Sequence, residues 1–394
     1  MRRPPFPRRR RWRALIVLGV AVLAAWLLLG AWASRQARAV DVVAVALGHP
    51  GWLVWAVDHT TPTPHSAQRV IAGAHATVVT PAGKGPWPAL VFVNGATAQG
   101  RFEPHVVRLG LGLARAGFLV VVPDLPGLRK GQITLRTVDA LAGVASAVAH
   151  DPHARGGRVG FLGVSVGASL ALLAAERPAL AGQLSAVAGL APYTNLKGMV
   201  RLATTGVYER DGRLVRYHTG PFLALALARS LVAGLPPSPA RDALQAAVLG
   251  ISDNASDPLA QMRRDAPAGL GGPAGAAVAL IENRDPSRFD ALWAALPASL
   301  RAAARNLSPL YAARRLRFPV YLATSPHDEY FPSSQSRALA ARAPDASLIV
   351  TSTLSHVLPE PSPGNIGALV HFEDFAVSAL QALDACGTAA GCPR

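Results

Sequence analysis

From residue 68 onward the chain alternates two kinds of apolar segment, and no other feature restricts its fold as strongly. The runs RVIAGAHATVVTP, ALVFVNG, FLVVVPDLPG and RVGFLGVSVG are short, apolar and bounded by Gly or Pro, which predicts strands. Between them, residues 106–117 and 136–150 carry Ala and Leu at helical spacing. The order continues as helix GASLALLAAERP, strand SAVAGLAPY, a long insertion, strand FPVYLATSP, helix SSQSRALAARA, strand SLIVTSTLS and a last helix near 364–383. Strands separated by helices need crossover connections, so the expected class is α/β, with a mainly parallel sheet flanked by helices.

The insertion breaks the alternation and is expected to form a helical cap over 194–305, leaving 67–193 and 306–384 as the core. FLALALARSLVAG and ARDALQAAVLG have helical composition, whereas GLGGPAGAA at 269–277 reads as a loop or hinge. Arg229 interrupts the first of these runs, which is too short to cross a membrane.

The N-terminus is different in kind. Residues 1–13 hold seven arginines, and 14–33 form an uncharged stretch, ALIVLGVAVLAAWLLLGAWA. As a helix it spans about 30 Å, the thickness of a bilayer core. The expectation is a single transmembrane anchor in the lipid bilayer, with the arginines cytoplasmic and the rest of the chain outside. The rival reading is a secreted protein, because Ala31-Trp32-Ala33 and Ala37-Arg38-Ala39 resemble signal-peptide cleavage sites. Residues 34–66 read as a linker. Cys386 and Cys392, in the tail 385–394, are the only cysteines; they form a candidate disulfide or remain two thiols.

The formal net charge of +16 raises the question of nucleic acid. Much of it lies in the first thirteen residues, and the rest comes without zinc-ligand spacing or an RNA-binding signature. A solvated basic surface is expected instead, with no nucleic-acid partner. The length allows a substantial core, and the low charged fraction argues against global disorder.

Gly163-Val164-Ser165-Val166-Gly167 follows an apolar strand and opens a helix. A serine at such a turn presents its hydroxyl outward, and glycines two positions to either side avoid collision with neighbouring backbone. A serine hydroxyl is a weak nucleophile, so it needs a histidine to take its proton and a carboxylate to orient that histidine. Asp328 and His356 each follow a predicted strand, in that order along the chain. Strand ends of one parallel sheet converge, so Ser165, Asp328 and His356 are the expected catalytic set. Glu329 is the substitute acid, while His327 and His371 are weaker candidates for the base. The histidines show no metal-ligand spacing.

With VNGAT at 93–97, PDLPG at 123–127, GVSVG, the turn DEYFP at 328–332 and the Ser355-His356 pair, the chain resembles the α/β-hydrolase superfamily over residues 68–383. It looks closest to dienelactone-hydrolase-like proteins and bacterial serine esterases. The resemblance implies an oxyanion hole built from the backbone N–H groups of Ala96 and Val166, with Gly95 the alternative to Ala96. It implies no cofactor and no metal. Asn94 stands where relatives usually carry histidine, and Asp124 falls at a turn position expected to stabilise backbone rather than react. The implied activity is hydrolysis of an ester or related acyl bond of a small-molecule substrate through an acyl-enzyme. The alternatives are an acyltransferase acting on a cell-envelope acceptor and an inactive binding protein with the same fold.

Overall fold

The computed structural model describes residues 61–357 and 366–384, together with Trp55 and His59. The expected transmembrane segment 14–33 and the Cys386/Cys392 pair lie outside the described residues. Among the described residues no helix is long and apolar enough to cross a membrane.

The apolar runs form one eight-stranded sheet. Its strands are β1 (His65–Ile71), β2 (Ala74–Thr80), β3 (Trp87–Val93), β4 (Leu119–Pro123), β5 (Ala154–Val164), β6 (Leu184–Leu190), β9 (Val320–Thr324) and β10 (Ala346–Val350). Their spatial order is β1-β2-β4-β3-β5-β6-β9-β10. Strand β2 is antiparallel to both β1 and β4, and every other neighbouring pair is parallel. The run RVIAGAHATVVTP, read as one strand, is a hairpin. Ala72 and Gly73 both take left-handed φ (48° and 81°), which reverses the chain in two residues. Strand β1 also takes in the last two residues of the expected linker.

The helices of the alternating part are α1 (Pro104–Arg115), α2 (Leu135–Ala149), α3 (Val166–Ala174), α11 (Ser334–Ala340) and α12 (Ile366–Asp384). Strand β3 is buried on both faces, as a central parallel strand must be, and its side chains divide by alternation. Val91 and Val93 enter the larger core, which contains Leu141 of α2 and Leu170 of α3. Leu90 and Phe92 enter a smaller core against α1 and α12, through Leu113, Ala379 and Leu383.

Between β6 and β9 lie α4 (Leu196–Thr205), α5 (Pro221–Ala233), α6 (Pro239–Gly250), α7 (Pro258–Asp265), α8 (Gly272–Ile281), α9 (Phe289–Ala295) and α10 (Ala298–Asn306). The insertion is not wholly helical. A hairpin of β7 (Val207–Arg210) and β8 (Arg213–Arg216) turns at Asp211-Gly212, both with positive φ. Nor is 269–277 simply a loop. Helix α8 starts inside it, with proline in its first turn, where a missing N–H leaves no bond unmade.

Arg229 of α5 is 2% exposed. Its guanidinium donates to the carbonyls of Val248 (3.1 Å), Ile251 (2.5 Å) and Lys130 (3.1 Å) and pairs with Asp253 at 2.6 Å. The charge that breaks the apolar run of α5 thus ties the insertion to itself and to the loop before α2. A buried guanidinium is tolerable only when its donors are satisfied in this way.

Candidate active site

Ser165 sits between the end of β5 and the start of α3 with φ 56° and ψ −126°. A non-glycine residue held there is strained, and the surrounding sheet maintains it. The Ser165 N–H donates to the Leu190 carbonyl on β6 at 2.7 Å. The two glycines are needed for space. A Cβ on Gly163 would lie 2.6 Å from the Ala168 nitrogen, and one on Gly167 would lie 2.8 Å from the Val93 carbonyl carbon.

The three sequence-predicted residues meet in one hydrogen-bonded line. His356 Nε2 is 2.9 Å from Ser165 Oγ, and His356 Nδ1 is 2.7 Å from Asp328 Oδ2. The other carboxylate oxygen of Asp328 accepts the backbone N–H groups of Tyr330 (2.8 Å) and Phe331 (2.7 Å). With both oxygens engaged and the side chain out of solvent, the carboxylate has a fixed orientation towards the ring. Tyr330 and Phe331 also pack edge-on against the His356 ring, at centroid distances of 4.9 and 5.7 Å. Glu329 and His327 are exposed beside the buried Asp328, and His371 is exposed on α12. None of the three joins the line.

Two tyrosines outside the predicted set belong to this site, Tyr330 from the DEYFP turn and Tyr217 without any sequence signal. Tyr217, just after β8 in the insertion, donates its hydroxyl to the backbone carbonyl of Asp328. Nearby, Gly220 N–H donates to the Glu329 carbonyl at 3.1 Å. The insertion therefore holds the acid turn by its backbone. Burial, then the Asp328 charge, then Tyr208 push the Tyr217 hydroxyl well above the usual tyrosine range, so it remains a donor. Burial and the charges of Glu329 and Asp328 act on Tyr330 in the same direction.

The segment after β3 runs beside the nucleophile. A Cβ on Gly95 would be 3.4 Å from Ser165 Cβ. The Asn94 side-chain amide donates to the Gly95 carbonyl at 2.8 Å. In a trans peptide the C=O and the following N–H point opposite ways, so this bond fixes the direction of the Ala96 N–H. Among the described residues no protein acceptor takes that N–H. Val166 is the first residue of α3, where an N–H has no intrahelical partner.

Asp124 does more than stabilise its turn. It bridges Arg129, at 2.8 Å, and the buried Arg101 beside Gly100, offsetting part of their mutual repulsion with its single negative charge. Burial and the Arg129 charge lower the Arg101 pKa. No cluster of three or more His, Cys, Asp or Glu among the described residues could hold a metal.

Ser165 and His356 open onto a cavity of about 390 Å³. Near the nucleophile its wall includes Asn94, Thr97, Glu103 and Tyr330, with Phe222 and Ala226 contributed by α5. Away from it the wall is almost wholly apolar. Glu103 is already engaged as the N-cap of α1, accepting the Val106 N–H at 2.9 Å.

The family model of X-Pro dipeptidyl-peptidase (S15 family) matches residues 74–353, from β2 to just before His356. Among solved structures, the chain is similar to a dienelactone hydrolase from Anabaena variabilis ATCC 29413, with 16% identity, 81% of this chain and 98% of that chain covered, and a TM-score of 0.41. It is also similar to Est1E from Butyrivibrio proteoclasticus (14% identity, 82% and 99% covered, TM-score 0.44). An acylaminoacyl peptidase from Pyrococcus horikoshii matches with 14% identity over 86% of this chain and a TM-score of 0.45, but the match spans only 45% of the peptidase. No curated protein matches the chain.

Proposed function

Since the chain belongs to the S15 family of α/β-hydrolases and is a serine hydrolase, we propose that it cleaves an ester or related acyl bond next to an apolar acyl group, through an acyl-enzyme on Ser165. The observation that carries this reading is the Ser165–His356–Asp328 line opening onto an apolar cavity.

In this mechanism Ser165 Oγ attacks the substrate carbonyl carbon while His356 Nε2 takes the hydroxyl proton. The imidazolium that forms donates from Nδ1 to Asp328, whose orientation is fixed by the Tyr330 and Phe331 amides. The oxyanion accepts hydrogen bonds from the Ala96 and Val166 N–H groups, each worth about 3 kcal/mol of transition-state stabilisation. His356 then passes its proton to the leaving alkoxide as the carbonyl–oxygen bond breaks. Water repeats the sequence on the acyl-enzyme, releasing the acid and restoring Ser165.

The family's name raises a second reading, release of a dipeptide from an X-Pro terminus. Binding a peptide's free ammonium in an apolar cavity requires a carboxylate. Among the described lining residues Glu103 is the one carboxylate, one of its two oxygens already caps α1, and the rest of the wall is largely apolar and suits a hydrocarbon chain better than a charged terminus. The ester reading is therefore preferred. Labelling with a fluorophosphonate probe tests it, alongside cleavage of p-nitrophenyl esters and of an X-Pro p-nitroanilide. Stoichiometric labelling that Ser165→Ala abolishes, with ester cleavage exceeding amide cleavage, is expected. Failure of folded protein to label would favour a silent binding protein, and dominant transfer to an added alcohol would favour an acyltransferase.

We further propose that residues 14–33 anchor the enzyme in a membrane with its active site on the non-cytoplasmic side, a reading supported by the seven arginines that precede this uncharged stretch. Protease accessibility of the catalytic part in intact cells tests that placement. Release of the protein in soluble form would favour signal-peptide cleavage.

A further inference from the structure

We propose that the cavity below Ser165 is an acyl-chain channel between the sheet and α12, sized for an unbranched chain of about a dozen carbons. This rests on the acyl-hydrolase reading above and names the substrate class.

The cavity does not stay between the sheet and the insertion. It enters the smaller core, bounded on one side by β3, β5 and β6 and on the other by α1 and α12. Along α12 its wall runs from Phe372 to Leu383. Eleven helical steps cover about 16 Å. An extended hydrocarbon advances roughly 1.3 Å per carbon for bonds near 1.5 Å, so that length holds about a dozen carbons. The volume sets an upper bound: at about the 30 Å³ a water molecule occupies in the liquid, a size close to that of a methylene, the whole cavity of 390 Å³, mouth included, holds no more than roughly thirteen.

Small side chains border the space: Ala188 and Gly189 of β6 and Ala376 and Ala379 of α12 all line it, while Val187, the neighbour of Ala188, enters the larger core on the other face of the sheet. Protein interiors rarely leave a void larger than a few waters, so one of this size, continuous with the nucleophile, is a binding space.

Its two ends differ in chemistry. Ser165 and His356 stand at one end, and Leu113 and Leu383 at the other. Leu383 lies directly over Gly160, where a Cβ would come within 2.5 Å of it. Beyond it Arg155 donates to the Asp384 carbonyl at 2.8 Å and pairs with its carboxylate, tying the end of α12 to the start of β5. A chain with its carbonyl at Ser165 thus meets a closed apolar end, and the channel measures length.

The test is kcat/KM for p-nitrophenyl esters from acetate to hexadecanoate. Each added buried methylene is worth about a fourfold gain, so a rise of at least tenfold from acetate to dodecanoate is expected, with a fall at hexadecanoate. Ala379→Phe should lower the dodecanoate-to-acetate ratio at least tenfold. Gly160→Ala, which drives the Leu383 tip into the channel, should move the optimum to shorter esters, and Leu383→Ala to longer ones. Titration of dodecanoate into Ser165→Ala should show saturable binding that Ala379→Phe removes. A wild-type profile that is flat or falls beyond butyrate, or a ratio unchanged by Ala379→Phe, overturns the channel. If no ester is cleaved and Ser165 does not label, the hydrolase reading has failed instead. The dodecanoate titration then decides the channel by itself, and absence of binding overturns it.

Discussion

Replacing Gly167 by alanine sets a methyl carbon 2.8 Å from the Val93 carbonyl carbon, with the Val93 and Asn94 carbonyl oxygens closer still. Carbon atoms rest at about 3.5–4.0 Å, so the end of β3 must retreat from α3 by roughly 1 Å. Both partners are backbone, and no side-chain rotation relieves the contact. The segment that moves leads directly into Asn94-Gly95-Ala96, which carries one expected oxyanion donor. A displacement of about 1 Å in a catalytic group costs on the order of a hundredfold in rate, and full loss of one donor about 3 kcal/mol. Gly167→Ala should therefore lower kcat on a short p-nitrophenyl ester by two to three orders of magnitude, with KM changed much less. Gly143→Ala is the control. That glycine is inside α2, its Cβ would meet only Ala72 at 3.8 Å, and the change should stabilise by up to about 1 kcal/mol without touching kcat. A folded Gly167→Ala variant retaining kcat within fivefold of the wild type would refute both the steric argument and the placement of the oxyanion donor.

Asp328→Asn keeps an oxygen for the Tyr330 and Phe331 amides but offers His356 a donor where it needs an acceptor. Its kcat should fall about 10⁴-fold with little change in Tm, as measured by ester hydrolysis and thermal melting. Tyr217→Phe removes the hydroxyl that holds the Asp328 carbonyl; a loss of about 1 kcal/mol in transition-state stabilisation, read as a several-fold lower kcat/KM, is expected. Arg229→Met leaves three carbonyls and Asp253 without their donor, so denaturant titration should show a loss of about 3–5 kcal/mol. Burial raises the Glu176 pKa, so the folded chain holds that proton more tightly than the unfolded chain does. The stability this adds is full below the ordinary glutamate pKa and is lost as pH rises through the raised one. Glu176→Gln should flatten the dependence of Tm on pH in the range above the ordinary glutamate pKa.

The hydrogen-bonded line of Ser165, His356 and Asp328 was legible in the sequence because each member is marked locally. Ser165 lies in a strand, glycine and helix context, and Asp328 and His356 each follow an apolar run. Parallel strands then bring those ends together whatever lies between them. Asp124 was legible only as a turn residue, since its bridging of Arg101, 23 positions before it, and Arg129, five after it, depends on how the two loops fold together. The hairpin β7–β8 carried a local signal in Asp211-Gly212, which the helical composition around it obscured. The split of the first run at Ala72-Gly73 was hidden because alanine rarely adopts positive φ.

Local pattern alone was enough for the alternation of strands and helices from β3 to α12 outside the insertion, for the sheet's mainly parallel character and for picking out Ser165, Asp328 and His356. Periodicity and glycine placement act over a few residues and can be read there. Long-range folding was needed for Tyr217 to clamp the acid turn across 111 positions, for Asn94 to orient the Gly95-Ala96 peptide, and for alanines of β6 and α12 to line one cavity. Those outcomes depend on which surfaces meet when the sheet, its helices and the insertion close, and a side chain's distant neighbours leave no periodic trace along the chain.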